Sequence, residues 1–173
     1  MAQTQNEDPK FIWTIGGGKG GSGKSFITAN IGICLSKLGV QVILIDADLG
    51  GANLHTFLGI LPPSLSLSDF IKKRVSHLQE VLIPTGIPNL QLLTGAQDLL
   101  NAADAKNVQR RKLLHSIRSL EGDYILIDLG GGNSMSVLDF FLMSDGGILM
   151  VTPEPTSIEN TYRFLKSAFY RRL

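Results

Sequence analysis

The sequence predicts an α/β fold: a mostly parallel, twisted sheet with helices on both faces, in three layers. Three observations carry that expectation. Short apolar runs alternate with helical patterns along nearly the whole chain, the order produced by right-handed strand–helix–strand units. The strongest runs are continuously apolar rather than alternating, as in strands covered on both faces. The 173 residues are 43% hydrophobic and 18% charged, a globular composition long enough for one sizeable core.

The elements follow in order. Residues 1–9, polar and acidic-leaning, read as a tail before one domain over 10–173. "FIWTIG" (Phe11–Gly16) is a short buried strand, with Trp13 expected in the core. "KSFITANIGICLSKLG" (Lys24–Gly39) is a helix whose apolar positions include Phe26, Ile27, Ile31, Cys34 and Leu35, so Cys34 is expected inside. Gly39 stops it. "VQVILIDAD" (Val40–Asp48) is a second strand.

The middle is less regular. "LHTFLGI" is a short helical turn broken by Pro62 and Pro63, and "SLSDFIKKR" a helix opened by a serine cap. "EVLIP" and "NLQLLTG" are short strands, and "NVQRRKLLHSIRSLEG" is an amphipathic helix. "DYILIDLGGG" (Asp123–Gly132) is the third clear strand. Helix "SMSVLDFFLMS", strand "GGILMVTPEP" and helix "TSIENTYRFLKSAFYRRL" complete the pattern.

Composition narrows the function classes. A net charge of +1 offers no global argument for nucleic acid or an anionic membrane. A single cysteine excludes an intrachain disulfide and a cysteine-only metal site within one chain. No apolar run approaches the roughly 18–20 residues of a membrane span, and the first residues are unlike a secretory signal. A cytoplasmic protein is expected. His55, His77 and His115 lack ligand spacing, and Arg110, Arg111 and Lys112 read as a solvated helix face.

Three strands end in chemically loaded loops, and ligands of such sheets bind at the carboxyl ends of strands. Gly18-Lys19-Gly20-Gly21-Ser22-Gly23-Lys24-Ser25 satisfies G-x-x-x-x-G-K-[ST] between a strand and a helix. Its glycines let backbone N–H groups form an anion nest, and the helix N-terminus adds positive charge. Lys24 would reach the β- and γ-phosphates, and Ser25 would ligate Mg²⁺. The competing dinucleotide fingerprint, Gly16-x-Gly18-x-x-Gly21, has no use for Lys24-Ser25 opening the helix. Asp46 and Asp48 share one strand face if the strand persists that far, where a hydrated cation would relieve their repulsion. Asp128 suits a water-mediated Mg²⁺ role, and Gly130–Gly132 give a backbone free to respond to the γ-phosphate.

"KGGSGKS" resembles the deviant Walker A motif, KGGxGK[ST], of the MinD/ParA family of dimerising ATPases, within the SIMIBI class of P-loop proteins. "LIDADLGGANLHTFLGI" is similar to the family's switch I strand, "YILIDLGGG" to its Walker B and switch II, and "VTPEPTSIENTY" to the strand end and helix that follow. "DADLGGAN" and "TPEPTSI" look closest to the FlhG/FleN branch, which regulates flagellar number and placement. The resemblance implies ATP and Mg²⁺ as ligands and a nucleotide-binding run over Gly18, Lys19, Gly20, Gly21, Ser22, Gly23, Lys24, Ser25 and Phe26. It makes Lys24 the phosphate lysine and Ser25 a Mg²⁺ ligand. Asp48 becomes the residue that positions water, Asp46 its neighbour, and Asp128 the Walker B aspartate. Lys19 becomes the extra lysine that reaches a partner subunit's phosphates, and Glu154 a residue facing the partner's nucleotide.

The implied partners are a second copy of the chain and an activator or effector protein, with room for membrane or DNA; no metal cluster is implied, because a bridging iron–sulfur cluster needs two cysteines per subunit. The chain departs from the family in having Asp128-Leu129-Gly130 where many relatives have Asp-x-Pro. The family's domain usually continues through an adenine-holding segment, so a C-terminally shortened domain is expected.

Overall fold

The computed structural model of the protein describes residues 10–48, 53–62, 64–95 and 106–173. The tail expected over 1–9, the LGG turn after Asp48, Pro63 and the Arg110 side chain lie outside the described residues. The elements are β1 (Phe11–Gly16), α1 (Lys24–Lys37), β2 (Val42–Ala47), α2 (Leu54–Phe57), α3 (Leu67–Ile71), β3 (Ile83–Pro84), β4 (Leu90–Leu93), α4 (Lys106–Arg118), β5 (Tyr124–Leu129), α5 (Met135–Met143), β6 (Gly146–Leu149) and α6 (Pro155–Arg172). A 3₁₀ turn, Leu78–Val81, precedes β3.

The six strands lie in the order β3-β4-β2-β5-β1-β6, parallel except for β3, which runs antiparallel to β4. Every residue of β2 is buried, because its two faces feed two cores. Ile43 and Ile45 join Ile125 and Ile127 beneath α3, α4, α5 and α6. Val42 and Leu44 join Ile15, Leu92 and Leu126 beneath α1 and α2. This is the physical meaning of the unbroken apolar run.

Three local expectations are corrected. Cys34 is exposed, not core. α1 turns inward a line of small and polar residues, among them Thr28, Ala29, Gly32 and Ser36, which lets its backbone lie close on the sheet. A Cβ on Gly32 would stand 2.6 Å from Leu44 Cδ2. Phe26 and Leu38 are left outside. Trp13 is 37% exposed: β1 points Phe11 and Trp13 outward, where both rings pack on Tyr124 at 5.3 and 6.4 Å between centroids. The "EVLIP" strand shrinks to Ile83–Pro84 after the 3₁₀ turn, at the sheet edge where a proline costs no ladder bond. The serine cap of α3 is Ser66, whose Oγ accepts from the Ser68 N–H while Asp69 accepts from the Ser66 N–H.

Candidate phosphate-binding site

β1, β5 and β2 are neighbours at the centre of the sheet, so the three loops expected to carry chemistry leave it side by side. Register makes this concrete: Asp128 is paired with Ile15 on one side and Asp46 on the other.

The glycine loop has two unlike halves. Gly21 and Gly23 take positive φ values of 74° and 88°, which only glycine adopts at little cost. Among the described residues a Cβ on Gly20, Gly21 or Gly23 would meet nothing within 4 Å, so this half fronts open space. The first half is closed in. A Cβ on Gly17 would lie 2.7 Å from the Met150 carbonyl oxygen, and one on Gly18 2.3 Å from the Thr161 nitrogen. The Gly18 N–H donates to Thr161 Oγ1 at 3.2 Å.

Both lysines are engaged by the protein itself. Lys24 is buried, and its ammonium donates to the Lys19 carbonyl at 3.1 Å. That carbonyl also accepts from Ser22 Oγ at 3.2 Å. The Lys19 ammonium forms an ion pair with the Glu154 carboxylate of the same chain. The hydrogen bond from Lys19 holds the Glu154 carboxyl below the usual glutamate range. Glu154 is the N-cap residue of α6, so this pair joins the glycine loop to that helix.

The carboxylates differ in what satisfies them. Asp46 is fully buried, and its two oxygens accept from the Asp48 N–H at 3.2 Å and the Leu54 N–H at 3.0 Å. It therefore ties the end of β2 to α2. Burial pushes its pKa up to about 6, against the lowering effect of those backbone bonds. Asp48 lies one residue beyond β2, and its Oδ1 would stand 3.1 Å from a Cβ on Gly130. Asp128 is 1% exposed, and among the described residues neither carboxylate oxygen has a partner at hydrogen-bond distance. Burial pushes its pKa up to about 7; the Ser25 hydroxyl and Lys24 pull it down, while Asp46 and Asp48 push it up. Gly131 closes on the glycine loop, a Cβ there lying 3.1 Å from the Gly20 nitrogen. Phe26 is exposed and packs edge-on against Phe57 at 6.4 Å.

An orphaned carboxylate beside Ser25, a buried lysine and an open row of glycines fit a phosphate with a divalent cation. Among the described residues no group of three or more His, Cys, Asp or Glu is arranged to hold a metal ion. Sequence reasoning missed Ser157 and Thr161. The available signal was hydroxyls four residues apart in the helix following a strand at the loaded sheet edge, which places both on one helix face.

Antiactivator FleN of Pseudomonas aeruginosa is 32% identical over 170 residues, 96% of this chain and 59% of FleN. The flagellum site-determining protein YlxH of Helicobacter pylori is 34% identical over 168 residues, 91% of this chain and 53% of YlxH. The structure of the septum site-determining protein MinD from Pyrococcus horikoshii, complexed with Mg-ADP, superposes with a TM-score of 0.78 at 29% identity, over 95% of this chain and 66% of that one. The chain thus spans between half and two thirds of these relatives. Residues 9–168 match the ParA family described as NUBPL iron-transfer P-loop NTPase, and the chain belongs to that family of P-loop NTPases.

Proposed function

We propose that residues 10–173 form an ATP-binding, slowly hydrolysing molecular switch that dimerises with ATP and Mg²⁺. It would act in the cytoplasm, reporting its nucleotide state to an activator or effector protein and so controlling the position, number or partition of a cellular structure. The similarity to FleN and YlxH favours the flagellum. The observation that carries the reading is the junction of the open glycine loop, buried Lys24 and orphaned Asp128 at the carboxyl ends of adjacent strands.

Nucleotide binding exchanges contacts that the chain makes with itself. Lys24 leaves the neutral Lys19 carbonyl for the β- and γ-phosphates, a stronger charge-assisted bond. The N–H groups of the open half of the loop turn onto phosphate oxygens. Ser25 and Asp128 would hold Mg²⁺, which would supply charge neutralisation at the phosphates. Asp48, set against Gly130, orients the attacking water, while Asp46 fixes Asp48 through its backbone N–H. Lys19 leaves Glu154 to reach a second subunit's phosphates, supplying a cation in trans. Its pair with Glu154 is exposed and screened by solvent, so releasing it costs little. Within these 173 residues Cys34 is the single cysteine, whereas half of a four-cysteine cluster takes two.

Titration with a fluorescent adenine nucleotide tests the reading. Saturable binding that strengthens with Mg²⁺ and is lost in Lys24→Ala is expected. Binding that ignores both the cation and Lys24 would refute it.

A further inference from the structure

We infer that Thr161, on α6, is a positioning residue for the phosphate-binding loop; the proposal rests on the ATP reading above. Among the described residues its hydroxyl is the side-chain partner of the Gly18 N–H, the backbone donor immediately before Lys19. Thr161 is 5% exposed and uses its hydroxyl twice, accepting from Gly18 at 3.2 Å and donating to the Ser157 carbonyl at 2.8 Å. Ser157, fully buried, accepts the Thr152 N–H at 3.0 Å through its own hydroxyl. One chain of hydrogen bonds therefore runs from the loop, along one face of α6, to the turn after β6. Gly18 presses on the same place, since a Cβ there would overlap the Asn160–Thr161 backbone.

This clasp divides the loop's work. Gly18 N–H, spent on Thr161, holds the loop rather than binding phosphate, which departs from the role expected of Gly18 in a simple nest. With that end fixed, the loop keeps the curvature that the positive φ values of Gly21 and Gly23 give it. Lys19, between the fixed and open halves, takes its starting point from Thr161 through the backbone and from Glu154 through its side chain. Without the hydroxyl, a buried N–H is left unpaired and the loop must pay to reach the same shape.

The test uses the whole chain with Thr161→Val, which keeps the side-chain shape, and Thr161→Ser, which restores the hydroxyl. Two quantities are read: hydrogen exchange of the Gly18 amide by nuclear magnetic resonance without nucleotide, and affinity for a fluorescent ATP analogue with Mg²⁺. In Thr161→Val, Gly18 exchange should accelerate and affinity fall, each by about tenfold, and Thr161→Ser should bring both back to within about threefold of the unaltered protein. If Thr161→Val does not fold, Thr161→Ala gives the same contrast against Thr161→Ser. Unchanged Gly18 exchange in the valine variant overturns the clasp. Faster exchange with unchanged affinity overturns the positioning role. Failure of the unaltered protein to bind nucleotide overturns the ATP reading, and Gly18 exchange then still reports on the clasp by itself.

Discussion

Asp128→Asn should make the nucleotide-free protein more stable while removing its response to Mg²⁺. Among the described residues the buried carboxylate has no partner at hydrogen-bond distance, and burial raises its pKa to about 7 from 3.8 for an ordinary aspartate. A folded-state pKa raised above the unfolded value means that the folded chain holds a proton the unfolded chain has lost. Stability then falls as pH rises from about 4 to about 7, and stays low above that. Roughly three pKa units correspond to about 4 kcal/mol of penalty at pH 8. The asparagine amide is short of partners much as the protonated carboxyl is, so that cost is common to both and the gain at pH 8 approaches the full penalty. At pH 5 only about a third of the penalty has developed, and the advantage shrinks in proportion. Asp46, pushed up to about 6, is common to both proteins and cancels to first order. Urea unfolding of both proteins at pH 5 and pH 8 measures this. A gain that does not change with pH, or a loss of stability at pH 8, would refute the reasoning.

Two further substitutions probe other parts of the structure. Gly32→Ala places a methyl group 2.6 Å from Leu44 Cδ2 in the core, and overpacking should outweigh the helix-propensity gain by about 1–2 kcal/mol in urea unfolding. Glu154→Gln removes the cis partner of Lys19. Because that pair is exposed, the melting temperature should not change, while the ATP-analogue concentration that half-saturates dimerisation should fall by about two- to threefold.

Much of the fold could be read from periodicity, because β2 and β5 are apolar on both faces and their neighbours are separated by helices of ordinary length. The orientation of α1 could not. Its inward face is defined by smallness, Gly32 and Ala29 against the sheet, whereas a reading of hydrophobicity selects Phe26 and Cys34. Trp13 misleads for a related reason: a large ring can cover a sheet surface beside Tyr124 and stay partly in water. At the site, the G-x-x-x-x-G-K-S spacing and the terminal aspartates located the three loops. Spacing could not show that both oxygens of Asp46 accept backbone N–H groups while Asp128 is left with none among the described residues. Nor could it pair Lys19 with Glu154 or Gly18 with Thr161, contacts that span 135 and 143 residues of chain.

The central claim is that Lys24 serves this chain's nucleotide and Lys19 a second copy's. Light scattering with a non-hydrolysable ATP analogue and Mg²⁺ tests it most directly, beside nucleotide titration of the same samples. The unaltered protein should double from its 18.7 kDa monomer mass. Lys19→Ala should still bind the analogue and remain at the monomer mass. Dimerisation of Lys19→Ala to the same extent as the unaltered protein would contradict the account.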